Sequence, residues 1–138
     1  MQGSSARFGL TDDEWREAKE QLRSAILEAA VDRQMTSYGQ IAPKVTTVRV
    51  EAFSPLMNHL LGEIFSDELA SGRPPLTAIV THKDGDKEPG PGFYDMARKL
   101  GERFTEPFVY WSTAVQDVFK LYGRPPRPRR TRPASNPE

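Results

Sequence analysis

Five arginines near the carboxyl end are the residues whose type and spacing most clearly suggest a chemistry. They fall within nine residues and are separated by prolines: Arg124, Arg127, Arg129, Arg130 and Arg132. Guanidinium groups bind phosphate oxygens, and a proline-rich segment does not fold into a helix that would bury them. We therefore expect residues 123–138 to form an extended, mobile tail that could contact a nucleic-acid backbone. Two other interpretations stay open: a solubilising segment, or a proline-rich ligand for an aromatic groove on a protein.

The charge of the chain is unevenly distributed. The 138 residues have a net charge of zero, but residues 124–138 carry five arginines against one glutamate, a charge of +4. The rest of the chain has 14 basic and 18 acidic residues. An acidic body with a basic tail favours a partner that the tail attracts electrostatically.

A polar loop supplies the other candidate cations, Lys83 and Lys87, which could contact phosphates as a wing beside a helix. Acidic residues at 84, 86 and 88 alternate with them, but the spacing of a calcium loop is absent, so we predict no metal site. The chain has no cysteine, which excludes disulfides, zinc-thiolate sites and a cysteine nucleophile. His59 and His82 have no spaced carboxylate partner, so we predict structural roles for both and no catalytic residues.

The helices that must position these residues have clear sequence limits. Thr11 and Glu14 predict a capping box at the start of a first helix, and Ser37 with Gln40 predicts another at a second. Ser54-Pro55 starts a third helix that ends before Gly72. We expect a strand over 76–81, a short helix over 94–100, and a last helix from Pro107, capped by Thr105 and ended by Gly123.

The third helix is acidic, which bears on any contact with DNA. Its polar positions are dominated by carboxylates, with only Asn58 and His59 able to read base edges. Carboxylates opposite phosphates repel them, so we do not expect this helix to read the major groove. The same acidic face, at Glu63 and Asp67, could instead bind a protein partner.

Two segments resemble a known family. The segment from Thr36 to Ala42 is similar to the motif that opens the helix-turn-helix of alkylguanine-DNA alkyltransferases and alkyltransferase-like proteins. Pro75 to Val80, followed by Gly90-Pro91-Gly92-Phe93, is similar to the family's later strand and glycine-rich loop. The resemblance covers roughly residues 35 to 94 and implies the winged-helix domain found at that family's carboxyl end. The segments 74–80 and 89–93 also resemble small uncharacterised bacterial proteins.

The resemblance implies few site residues. Tyr38 matches a family tyrosine that touches the DNA backbone, although its residue type favours a structural role in which it packs the second helix against the first. Arg49 is the nearest residue to the arginine that fills the space of a flipped base. The family's Pro-Cys-His-Arg signature is missing, and without cysteine there is no alkyl acceptor.

The sequence thus predicts an α+β, mostly helical protein with a winged helix-turn-helix-like unit and flanking amino- and carboxyl-terminal helices. We expect a disordered segment over 1–9, one domain over 10–122, and a tail over 123–138. The predicted function is that of a small non-enzymatic accessory protein that binds DNA or RNA weakly and without much sequence preference, through Tyr38, Arg49, the wing and the tail. The alternative is a protein-interaction module, an adaptor or immunity-type protein. We expect a cytoplasmic protein with no cofactor and no membrane span.

Overall fold

The computed structural model describes residues 8–82, 89 and 91–125, and over these residues the chain is mostly helical. The α-helices are α1 (Asp12–Val31), α2 (Tyr38–Ile41), α3 (Pro55–Ala70), α4 (Pro91–Lys99) and α5 (Pro107–Tyr122). Single 3₁₀ turns cover Ala42–Lys44 and Leu76–Ile79. Strands β1 (Thr36–Ser37) and β2 (Val80–Thr81) pair in parallel, with Thr36 opposite Val80. The α+β, mostly helical prediction is confirmed.

Helix α1 begins and buries one face as its sequence predicts. The Thr11 side chain accepts from the Glu14 backbone N–H at 3.0 Å, and the Glu14 carboxylate accepts from the Thr11 N–H at 2.9 Å. This reciprocal pair satisfies two N–H groups that have no partner within the helix. The buried face consists of residues spaced at three or four positions: Trp15, Ala18, Leu22, Ile26 and Ala30.

Helix α2 is a single turn. Ser37 caps it by accepting from the Gln40 N–H at 3.3 Å, but the predicted capping box is wrong, because the Gln40 side chain accepts from the Thr36 hydroxyl instead. Pro43 stands two residues after the helix ends, and the chain tightens there into a 3₁₀ turn. Proline has no N–H to continue an α-helix, which explains the early end.

Helix α3 has both predicted ends. Ser54 accepts from the Met57 N–H at 3.1 Å, and Pro55 occupies the first turn. After Ala70 the chain turns through Gly72, whose φ of 76° favours glycine.

The strand predicted over 76–81 is mostly wrong. Leu76–Ile79 is a buried 3₁₀ turn, in which the Ala78 N–H donates to the Pro75 carbonyl at 2.9 Å, and only Val80–Thr81 is extended. Trp111 of α5 donates its indole N–H to the Ala78 carbonyl at 2.7 Å. Tertiary packing therefore decides the conformation of a segment whose β-branched residues favour a strand.

Smaller corrections concern the last two helices and a histidine. Helix α4 begins at Pro91 and not near 94, and the N-cap of α5 is Glu106, not Thr105, with no side-chain cap bond. His59 is exposed and lies off the apolar face of α3, with its ring 5.1 Å from that of Phe8. Residues 1–7 of the segment predicted to be disordered lie outside the described residues.

The core lies where α1, α3, α5 and the 3₁₀ turn at 76–79 meet. Val115 is half-buried at its margin, and the buried residues include Trp15, Leu22, Ile26, Leu60, Ile64, Ile79, Phe93 and Trp111. No helix in the described ranges is long and apolar enough to cross a membrane.

Candidate functional site

A cavity of about 290 Å³ opens beside α3, the 3₁₀ turn, β2 and α4. Its walls are mostly apolar: Leu61, Phe65, Val80, Phe93 and Met96. Polar side chains also line it: Tyr38, Asn58, Thr77, Asp95 and Lys99. An apolar cavity with a few convergent polar groups is the usual form of a ligand site.

The threonine in this cavity is unusual. Thr77 is only 6% exposed, and its hydroxyl Oγ1 has no hydrogen-bond partner among the described residues. A buried polar group without a partner costs about 1–3 kcal/mol of stability.

Three aromatic side chains meet at one edge of the cavity, and we call Tyr38, Phe53 and His82 the aromatic cluster. The Phe53 ring stacks on Tyr38 at 5.5 Å and on His82 at 4.5 Å between centroids, and the Tyr38 and His82 rings are 5.7 Å apart. Phe53 is 56% exposed, whereas burial raises the pKa of Tyr38. Because Tyr38 also lines the cavity, the cluster and the cavity form one surface.

Helix α4 brings one cation to the cavity. Lys99 lines it, whereas the guanidinium carbon of the neighbouring Arg98 lies away from it, 4.5 Å from the centre of the Phe104 ring. Arg103 follows on the exposed turn after α4. Asp95 also lines the cavity, so the charge there is mixed.

The structure gives the predicted binding residues different surroundings. Tyr38 belongs to the site. Arg49 is exposed and pairs with Glu51 at 2.6 Å, and that carboxylate's hydrogen bond raises the pKa of Arg49. Arg124 pairs with Asp32 at 3.0 Å. The other predicted residues lie outside the described residues: Lys83, Lys87, Arg127, Arg129, Arg130 and Arg132.

The acidic face of α3 packs against α1. Glu63 accepts from the Trp15 indole N–H at 2.9 Å and from Lys19 at 3.2 Å, and Asp67 accepts from Lys19 at 2.9 Å. Burial alone would lower the pKa of Lys19, but these hydrogen bonds outweigh it and the pKa is raised. The carboxylates that were predicted to face a partner therefore hold two helices together.

Sequence reasoning missed Phe53, Thr77 and the place of His82 in the cluster. Phe53 precedes a helix cap and belongs to no periodic pattern, and the residues that meet it are distant in sequence. Its single sequence signal is an aromatic residue directly before the helix-capping Ser54. The meeting of these rings depends on the tertiary fold.

The described part of the chain contains no group of three or more histidine, cysteine, aspartate or glutamate side chains that could hold a metal ion. The acidic positions at 84, 86 and 88 lie outside it.

Comparison of the chain with family models, curated proteins and solved structures finds no match.

Proposed function

We propose that this protein is a non-enzymatic accessory protein that binds nucleic acid weakly and largely without sequence preference. The observation that carries the proposal is the aromatic cluster, with half-exposed Phe53 at the edge of a cavity. Proteins that bind single strands without sequence preference stack bases on such rings, because every base has a flat π-face.

Cations near the cluster support the proposal. Lys99 lies in the cavity wall, and the tail adds four arginines beyond residue 125. Phosphate contacts from these groups would supply affinity for any sequence. Stacking requires unpaired bases, so the proposal favours single-stranded over duplex nucleic acid.

The order of α2, α3 and β2 also supports a winged-helix interpretation, which we retain as a proposal. The wing itself, with Lys83 and Lys87, falls outside the described residues. The described strands pair in parallel, so the interpretation depends on element order and on the family resemblance.

The alternative, a protein-interaction module that uses the acidic face of α3, is less favoured. Glu63 and Asp67 already bind Lys19, and Glu63 also binds Trp15. Reversing their charges would disturb the contact between α1 and α3, so loss of a partner in that variant would not identify a binding surface.

Fluorescence anisotropy of labelled single-stranded and duplex oligonucleotides tests the proposal. We expect Phe53→Ala to weaken single-strand binding by about 1–3 kcal/mol, the usual contribution of one stacked base. Phe108→Ala is the matched control, because Phe108 on α5 is equally exposed and lies outside the cluster. Replacing Arg127, Arg129, Arg130 and Arg132 with glutamine should weaken binding to all sequences by a similar factor and flatten the salt dependence.

Two results would overturn the proposal. One is absence of binding to DNA and RNA at low salt, where non-specific binding is strongest. The other is an equal effect of Phe53→Ala and Phe108→Ala, since the cluster would then contribute nothing of its own.

A further inference from the structure

A second concave surface lies along α5, on the side of the segment 102–106. It has a volume of about 460 Å³, and we call it the acidic groove. Its charged lining residues are all carboxylates: Glu102, Glu106 and Asp117. The Arg98 guanidinium lies over the ring of Phe104, which also lines the groove, so three carboxylates and one guanidinium leave a local formal charge of −2.

The carboxylates of the groove differ in their surroundings. Glu102 accepts from the Tyr110 hydroxyl at 3.1 Å, and burial together with this carboxylate raises the pKa of Tyr110, which therefore remains a donor. Glu106 and Asp117 are exposed and form no ion pair with any described residue. Two negative charges on one helix face thus remain available to a cationic partner.

Flat apolar surfaces lie beside these charges. The rings of Phe104 and Tyr110 stack at 4.5 Å with an angle of 17° between their planes, and Val109 is 53% exposed. Pro74 and Pro75 line the groove as well. Aromatic-lined grooves recognise proline-rich segments, which are already extended in the polyproline II conformation and lose little entropy on binding.

The chemistry that fits this groove is a segment rich in arginine and proline, and this chain carries one. Residues 126–138 contain four arginines and four prolines, with one glutamate. The groove and the tail are therefore complementary in charge. The prolines of the tail also suit the apolar residues that line the groove.

The tail begins close to the groove. Helix α5 places Leu121 one turn after Asp117 on the same face, and Leu121 is 51% exposed. The start of the tail is held at this end of α5, because the Arg124 N–H donates to the Val31 carbonyl at 2.9 Å and Arg33 donates to the Arg124 carbonyl at 2.8 Å.

The spacing of charges also agrees. Glu106, the N-cap of α5, and Asp117 on α5 are eleven residues apart, about 16 Å at the α-helical rise of 1.5 Å per residue. Arg127 and Arg132 are five residues apart, also about 16 Å at the polyproline II rise of 3.1 Å per residue. A tail that runs back along α5 therefore matches Asp117 and Glu106 in distance along the axis, and the long arginine side chains must reach round the tail because residues five apart do not share one side at about three residues per turn.

We propose that the acidic groove binds the chain's own tail, residues 126–138, which folds back antiparallel to α5. The arginines pair with Asp117, Glu106 and Glu102, and the prolines lie on the exposed Val109, beside the stacked rings of Phe104 and Tyr110. This contact does not depend on nucleic-acid binding, although both use the same arginines.

Paramagnetic relaxation enhancement on the full chain tests the proposal. The chain has no cysteine, so Ser135→Cys gives a single position for a nitroxide label. We expect the label to broaden the amide signals of Glu106 and Val109 more than those of Lys120 and Leu121. Glu106→Gln/Asp117→Asn should remove that broadening, whereas Glu17→Gln/Glu20→Gln, which removes two exposed carboxylates from α1, should leave it unchanged.

Other patterns would overturn the proposal. Broadening that is strongest at Lys120 and Leu121 means that the tail stays near the carboxyl end of α5 and does not lie in the groove. Broadening in a mixture of nitroxide-labelled chains with separate ¹⁵N-labelled chains means that the groove binds the tail of a second copy. Equal loss of broadening in both carboxylate variants means that the attraction is general and does not belong to the groove.

Discussion

The carboxyl end of α3 and the cavity beside it each bury a polar side chain, but they treat it differently. Glu68 is fully buried, yet its carboxylate accepts from Arg23 at 3.1 Å, from Arg73 at 2.9 and 3.0 Å, and from the Tyr122 hydroxyl. Thr77 is almost as buried and has no partner among the described residues. A complete set of partners indicates a structural role, whereas the function proposed above gives the hydroxyl without one a binding role.

The electrostatics of the two regions follow the same division. Burial alone would raise the pKa of Glu68, but hydrogen bonds from Arg73, Tyr122 and Arg23 outweigh it and hold the pKa below its ordinary value. The Glu68 cluster, which we define as Glu68, Arg23, Arg73 and Tyr122, joins α1, α3 and α5. Its charges are paired within the fold, whereas Asp95 and Lys99 at the cavity form no ion pair with any described residue.

The largest expected effect is that of removing the charge at the centre of the Glu68 cluster. Glu68→Gln should lower the free energy of unfolding by about 3 kcal/mol, because two guanidiniums lose their carboxylate and breaking a buried pair costs about 3–5 kcal/mol. We expect the lower end of that range, since Arg23 and Arg73 are partly exposed and can be hydrated. Urea unfolding measures the loss. Glu63→Gln removes the charge of a partly exposed ion pair and should lower the free energy of unfolding by about 1 kcal/mol or less. If both variants lost the same amount of stability, the Glu68 cluster would not be the stronger structural element.

The next largest effect should be on the pH dependence of stability, to which the Glu68 cluster contributes. Because the folded-state pKa of Glu68 is lowered, its stabilising contribution is present above the ordinary glutamate pKa and is lost as the pH falls through the folded value. Between about pH 5 and about pH 3, the unfolding free energy should fall more steeply for the original protein than for Glu68→Gln. Parallel curves would mean that other carboxylates dominate acid unfolding.

The smallest expected effect is at Thr77. Thr77→Val should leave stability unchanged or raise it by up to about 1 kcal/mol, because it removes a buried hydroxyl without a partner. Thr81→Val is the matched control, since the buried Thr81 hydroxyl donates to the Thr36 carbonyl at 3.1 Å and its loss should cost about 1 kcal/mol. Thermal unfolding compares the two variants, and a destabilised Thr77→Val protein would show that this hydroxyl has a structural partner.

The same Thr77→Val variant sharpens the assignment of the cavity. If the hydroxyl contacts a bound base, anisotropy titrations should show weaker single-strand binding despite unchanged stability. Unchanged affinity would mean that the Thr77 hydroxyl does not contribute to binding. The aromatic cluster, which Phe53→Ala tests, would then be the binding surface without the cavity.

The ends of most helices could be predicted from the sequence by itself. Thr11 with Glu14, Ser54 with Pro55, and glycines 72 and 123 act through bonds or backbone angles within a few residues, so local chemistry is sufficient. The uneven charge of body and tail is likewise a property of composition.

Contacts between residues that are distant in sequence could be identified only from the tertiary structure. Leu76–Ile79 forms a 3₁₀ turn because α5 packs on it, and Glu63, Glu68 and Asp67, which look like one solvated acidic face, are divided between a helix contact and a buried cluster. Tyr38, Phe53 and His82 come from separate segments and become one surface only when β1 pairs with β2. Local residue types determined where the helices begin and end, but burial and distant partners decided which polar side chains are structural and which are available to bind.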